Sequence, residues 1–436
     1  MHHSILRIAL PSILTNITVP LLGAVDTAIT GHLGSAAFIG AIAVGASLFS
    51  SIYWLCNFLR MSSVGLTAQA YGQANPRRIA VQFWRPLLIA AALALLMMLL
   101  QDVVARLYFH YYRATPDIAL LSRRYFDLLI WGAFPSLALF VINGWLLGLQ
   151  NAKAPLLIAV VQNAVNVALS YTLAIGLGWQ LDGVAIGTLA AQWLGFALGM
   201  ALVVRTLRRR GYACSWREIW GNAQSWWAFF SVNSTIFLRT LCLVCVMLSI
   251  PFFGAQQGVN ALAANSLLLQ FFLLLSFVLD GLANAGEAIG GQLWGQYDAS
   301  GLRRLVRQLF LWGVIAALAF TLLYLLGGPF LLWLLTDQIA VRQFASQFMA
   351  YVVLMPLVGF AAFLLDGLYI GFTATRPMLF GVAGATALYF AAQFALAPQL
   401  GNHALWIAFL LYLAARGAIQ ALWLGPTLRN HATPQR

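Results

Sequence analysis

Long apolar stretches alternate with short polar breaks along nearly the whole chain, and the stretches predict membrane-spanning helices. A span needs about 20 mostly apolar residues. Twelve stretches qualify, over 5–31, 36–70, 83–108, 122–149, 154–176, 182–206, 226–253, 258–292, 306–334, 341–371, 376–397 and 402–425. Several outrun the bilayer core, which predicts tilt or extension beyond it. The most polar central stretch runs from Arg208 to Glu218, between the sixth and seventh spans. It divides the chain into a six-helix lobe over 1–207, a linker over 208–225, a second six-helix lobe over 226–425 and a tail over 426–436. The predicted fold class is an all-α polytopic membrane protein.

Polar words inside these spans recur 223 positions apart. Gln69-Ala-Tyr-Gly72-Gln73 returns as Gln292-Leu-Trp-Gly295-Gln296. Phe140-Val-Ile-Asn143-Gly144-x3-Gly148-x4-Lys153 returns as Phe363-Leu-Leu-Asp366-Gly367-x3-Gly371-x4-Arg376. One offset shared by separate words marks a duplication. Six helices per copy is an even number, so both copies start on the same side. They are parallel repeats, with a pseudo-twofold axis along the membrane normal. Duplicated membrane halves generally enclose a site and rock against each other, which points to a carrier.

Composition agrees with this picture. The chain is 62% hydrophobic and 8% charged, with mean hydropathy +0.85, whereas soluble domains carry roughly 25% charged residues. A net charge of +13 would suit a nucleic-acid binder, but the arginines sit in short loops between spans. With the N-terminus inside, sixteen Lys and Arg fall on the cytoplasmic side and five outside, leaving Arg60, Arg239 and Arg416 within spans. That bias puts both termini in the cytoplasm and removes the need for a nucleic-acid partner. The first apolar stretch passes 20 residues and carries Pro11, Asn16, Pro20 and Asp26, so it reads as a working span and not a cleaved signal. Cys242 and Cys245 have CxxC spacing inside an apolar helix, with no second ligand pair nearby, and read as apolar filling. No HExxH motif, embedded His pair or nucleophile triad marks an enzyme. No metal site or cofactor is expected.

Charges within a bilayer are costly and mark pathways, proton relays or paired contacts. Asp26 stands in the first helix without a basic residue in helical reach. Such a carboxyl can take and lose a proton. Pro20 removes one backbone hydrogen bond and lets the helix bend. Asn163, Asn166 and Ser170 share a face of the fifth helix at i, i+3 and i+7, and Thr188 in the sixth helix is placed to face them. Interhelical polar bonding is the plainer account of that group. The second lobe has another set: Arg239, Asp280, Glu287 and Asp366. One Arg against three acids predicts at least one buried ion pair. At the offset of 223, Asp280 and Asp366 correspond to Asn57 and Asn143.

Pro20-Leu-Leu-Gly-Ala-Val-Asp26-Thr-Ala-Ile-Thr-Gly-His-Leu-Gly34 resembles the first helix of multidrug and toxic compound extrusion (MATE) transporters. So do Gly65-Leu-Thr-Ala-Gln-Ala-Tyr-Gly72, Asn143-Gly-Trp-Leu-Leu-Gly-Leu-Gln-Asn-Ala-Lys-Ala-Pro155 and Asp366-Gly-Leu-Tyr-Ile-Gly-Phe-Thr-Ala-Thr-Arg376. The ending Leu400-Gly-Asn-His-Ala-Leu-Trp406 is similar to the DinF-like bacterial branch. The resemblance runs from about residue 5 to 425. It implies two six-helix lobes forming a V in a bacterial inner membrane. It also implies export of small cationic or amphipathic compounds against a proton or sodium gradient, by a monomer in a lipid bilayer.

In the family a first-helix Asp, a fifth-helix Asn and a sixth-helix Thr form the first-lobe site, matched here by Asp26, Asn166 and Thr188. Protonation of that Asp is proposed to bend the helix at the proline and expel substrate. Two departures matter. Many members carry Asp at the position of Ser170. In another branch a seventh-helix Glu joins a tenth-helix Asp to bind the cation, whereas here the tenth-helix Asp is present as Asp366 but the seventh-helix position is Arg239, a fixed cation that repels sodium. Both favour proton coupling through Asp26. A sodium-coupled carrier using the second-lobe carboxylates and a lipid-linked precursor flippase are the alternatives.

Overall fold

The computed structural model describes residues 1–33, 36–112, 116–221 and 223–432, except for the side chains of 19–22, 24, 36, 110–112, 223–225, 228 and 430–432. Among the described residues all regular structure is helical, as a chain in lipid requires, because a helix satisfies its own backbone polar groups. In chain order the helices are α1 (His2–Gly31), α2 (Ala36–Cys56), α3 (Phe58–Gly72), α4 (Pro76–Leu99), α5 (Gln101–Tyr112), α6 (Pro116–Leu129), α7 (Ala133–Gly148), α8 (Lys153–Tyr171) and α9 (Gln180–Arg210). The short α10 (Trp216–Trp220) leads to α11 (Ala223–Gln256), α12 (Val259–Gly295), α13 (Ala299–Leu335), α14 (Ile339–Ser346), α15 (Met349–Phe372), α16 (Thr375–Leu400) and α17 (Asn402–Ala432). Eleven helical stretches of the described residues are long and apolar enough to cross a membrane. The predicted span 5–31 is α1, part of whose side chains are undescribed.

Some spans that read as single runs are interrupted. The stretch 36–70 breaks at Asn57, where Asn57 N bonds back only three residues, to Trp54 O, and Arg60 Nε donates to Asn57 Oδ1 at 3.2 Å. A 3-10 turn at Ile130–Gly132 separates α6 from α7, and a π turn at Thr172–Gly176 ends α8. An apolar run does not reveal such breaks, because hydropathy reports the surroundings of a helix and not its winding.

The chain forms two compact units, one of Leu14–Trp227 and one of Ala228–Arg436 together with Met1–Ile13. In the first, α3 packs on α7 and α8 on α9; in the second, α12 packs on α15 and α16 on α17. The repeat of 223 reappears in the geometry of each unit. A methyl group added at Gly144 would lie 2.5 Å from the Arg60 carbonyl oxygen, and one at Gly148 would lie 2.8 Å from that of Val64. In the other unit Gly367 meets the Ala283 carbonyl, and a methyl at Gly371 would lie 2.6 Å from that of Glu287. Each pair is a GxxxG crossing in which the partner backbone takes the place of a side chain. The turns match as well. Ala74 and Tyr297 take left-handed φ of 51° and 58°, and Gln150 and Thr373 take 63° and 53°. Asn75 caps α4 by accepting from Arg78 N at 3.0 Å, and Asp298 caps α13 by accepting from Gly301 N at 2.8 Å.

Candidate functional site

In the first unit, the crossing of α8 with α9 places the polar groups. A methyl at Gly183 would lie 2.5 Å from Ala174 N, and one at Gly187 would lie 2.6 Å from Ser170 N. Small residues four apart let the two backbones close, and the side chains one turn away then meet. Asn166 Nδ2 donates to Thr188 Oγ1 at 2.9 Å, and Thr188 donates in turn to Val184 O at 3.0 Å. Ser170 Oγ reaches the same carbonyl at 3.5 Å. Asn163 takes a different partner, donating to Thr18 O of α1 at 3.1 Å. Asn166 and Ser170 are buried, and the Oδ1 of Asn166 accepts no hydrogen bond.

Asp26 lies in the same unit on α1. Its backbone carbonyl accepts from Thr30 Oγ1 at 2.5 Å. Its side-chain Oδ1 is shielded from solvent and reached by no donor. Tyr125 of α6 stands within electrostatic range. An ionised carboxylate only accepts hydrogen bonds, whereas a protonated one also donates. An acceptor that no donor reaches is therefore open to a proton or a cation. The side chain of Pro20 lies outside the described residues.

In the second unit the structure bonds Arg239 to Asp366, two of the four predicted polar residues, and adds Arg416 and Gln420, with Asp280 in electrostatic range of Arg416. Arg239 Nη2 of α11 and Arg416 Nη2 of α17 both donate to Asp366 Oδ2 of α15. Gln420 Nε2 donates to the other oxygen, Oδ1, at 2.6 Å. All three charged side chains are buried, at 4–6% exposure. Both carboxylate oxygens are thus occupied by fixed donors, while the Nε atoms of Arg239 and Arg416 have no partner. Arg416 lies over the Phe363 ring at 5.3 Å, and Tyr369 OH holds the Gln420 carbonyl at 2.7 Å. Asp280 and Glu287 share a helical face by spacing but not by surroundings, since Asp280 is exposed and Glu287 buried.

Gln420 carries no signal in the sequence. Arg416 does, as one of three arginines inside spans, and Gln420 follows it by one helical turn. Among the described residues no three His, Cys, Asp or Glu converge as metal ligands, and the four cysteines are free.

The sequence pattern of the MatE family matches residues 11–172 and 235–391. The chain is 38% identical to the DNA damage-inducible protein F of Escherichia coli (strain K12), over 96% of this chain and 91% of that one. It is 27% identical to a probable multidrug resistance protein NorM of Rhizobium meliloti (strain 1021), over 89% and 86%. A crystal structure of a MATE protein in the bent conformation superposes with a TM-score of 0.89 at 17% identity, covering 99% of this chain and 97% of that one, and so shares the fold. With the family pattern present in both halves and a relative that similar along nearly its whole length, the chain belongs to the MatE family of multi-pass membrane transporters.

Proposed function

We propose that the chain is a proton-coupled exporter of small cationic or amphipathic compounds, with Asp26 as the coupling group. The observation that supports this most is the shielded Oδ1 of Asp26, which no donor reaches. Relatives named as multidrug resistance proteins support the substrate class. In this reading a proton taken up from outside neutralises Asp26, α1 bends near Pro20, and the displaced compound leaves. Deprotonation towards the cytoplasm resets the carrier. Asn163, which ties α8 to α1, and the Asn166, Thr188 and Ser170 group support the Asp26 side chain in its working position. The two lobes of the carrier are 1–207 and 226–425. It works as a monomer in a bacterial inner membrane, with both termini cytoplasmic.

Sodium coupling through the second-lobe carboxylates is the weaker reading. Asp366 already receives two guanidinium groups and an amide, and a monovalent cation would have to displace fixed charges of its own sign.

Purified protein in liposomes, loaded with a fluorescent cationic dye, tests the proposal. A pH gradient alone should drive dye movement in the wild type and not in Asp26→Asn. Movement driven by sodium alone, or full activity in a well-inserted Asp26→Asn, would refute it.

A further inference from the structure

We infer that the end of α9 carries a binding site for the headgroup of an anionic phospholipid. A cavity of about 300 Å³ lies in the first unit, lined by Leu146, Leu149, Leu202, Arg205, Thr206 and Arg209, together with Asn151 and Arg210. It is amphipathic. Leu146 and Leu149 are buried and form an apolar wall from the end of α7. Arg205, Arg209 and Arg210 come from the last turns of α9.

The arginines differ in how they are engaged. Arg210 is held, with Nη1 3.5 Å from Tyr212 OH and its guanidinium 5.8 Å from the Tyr71 ring centroid. Among the described residues no hydrogen bond or ion pair engages Arg205 or Arg209. They stand four apart on one helix face, so both present guanidinium groups to one volume. No carboxylate lines the cavity. Glu218, the acid nearest in sequence, caps α10 through Ser215 and stands 3.7 Å from Arg77. Thr206 spends its hydroxyl proton on Leu202 O at 2.8 Å. Asn151 accepts from Ala154 N through Oδ1 at 3.3 Å, which leaves its amide hydrogens for an oxygen ligand.

Loop charge bias alone accounts for arginines at this end of a span. It does not account for two of them converging, without counter-charge, on a cavity with a leucine wall. Guanidinium groups match the planar, bidentate geometry of a phosphate, and basic pockets between spans at the membrane surface take anionic headgroups. The leucine wall favours a phosphate that carries acyl chains over a free one. The inference is independent of which ion drives transport.

Native mass spectrometry of the purified full-length chain, offered equal dioleoyl phosphatidylglycerol and dioleoyl phosphatidylcholine, tests it. The wild type should retain the anionic lipid at least about tenfold more, and R205Q/R209Q should lose that preference. R208Q/R217Q, which removes two exposed cations outside the cavity, should keep it. Equal retention of both lipids by the wild type, or an unchanged preference in R205Q/R209Q, overturns the site. Release of the bound lipid by millimolar inorganic phosphate overturns the lipid assignment in favour of a free anion. If R205Q/R209Q fails to fold, R205K/R209K keeps the charge, and its failure to weaken retention at least several-fold would argue against bidentate guanidinium recognition.

Discussion

Arg416 of α17 and Asp366 of α15, fifty positions apart in sequence, form a buried ion pair on the same carboxylate oxygen that Arg239 occupies. One carboxylate thus holds two arginines and three helices together. Removing it takes from two buried guanidinium groups the carboxylate they share. Asp366→Asn should therefore destabilise the protein by about 3–5 kcal/mol, read as a fall in the thermal midpoint in detergent. Asp26→Asn removes no hydrogen bond from that carboxyl's Oδ1 and should leave the midpoint nearly unchanged. Loss of transport in Asp366→Asn at full stability would show instead that this carboxyl takes part in coupling.

The glycine crossings should be intolerant of a single methyl group. Gly144→Ala and Gly367→Ala each set a Cβ against a carbonyl oxygen of the facing helix. Each should cost about 1–3 kcal/mol through overpacking. Gly178→Ala meets no atom within 4 Å but takes φ +70°, and Gly425→Ala meets neither obstacle. Gly425→Ala should therefore be neutral in the same thermal assay, and equal losses at Gly144 and Gly425 would sink the packing argument.

Asn166 and Thr188 should be coupled energetically. Thr188→Val removes the acceptor at 2.9 Å and leaves the Asn166 amide with one partner fewer. A double-mutant cycle with Asn166→Leu should return about 0.6–2 kcal/mol, the range for interhelical polar bonds in membranes. Additive effects would mean that the two side chains do not hold α8 to α9.

The linker should loosen in acid. The backbone N–H of Ser215, with its hydroxyl, holds the Glu218 carboxyl below the usual range, so the folded value lies under the unfolded one. The contribution of this cap to α10 is then present above the unfolded value, about 4.3, and fades as pH falls through the folded value. Amide exchange over 216–220, corrected for its intrinsic rate, should quicken below that range. Glu218→Gln should flatten the response, and an identical profile in both proteins would assign the change to another group.

Much of this architecture is legible in the sequence, and the reason is the period of the duplication. The recurring words at Gly144 and Gly367 are visible because a backbone contact admits only glycine, so the letter survives in both copies. The spacing of Asn163, Asn166 and Ser170 is also visible, since one helix fixes it. What each bonds is not, because that depends on how α8 meets α9 and α1. Gln420 escapes for the same reason: the rotation of α17 about its own axis decides whether it faces Asp366 or lipid. Asp280 and Glu287 mark a further limit, since helical periodicity assigns a face but not the depth at which its two ends are covered.

The two crossings made by Gly144 with Gly148 and by Gly367 with Gly371 each press a glycine on the main chain of the facing helix, with the Cβ atoms of Ser63 and Thr67 beside it in the first. Such a joint leaves the residue next to the glycine free to differ. Asn143 next to the first joint and Asp366 next to the second show what that permits: one copy carries a neutral amide and the other an acid matched by two arginines, around the same kind of glycine crossing. The duplicated frame thus carries a different chemistry in each copy. An exchange of Asp366, Arg239 and Arg416 for the neutral residues of the other half is accordingly a change of cargo to the frame, and chimeras between halves are the natural place to look for altered substrate range.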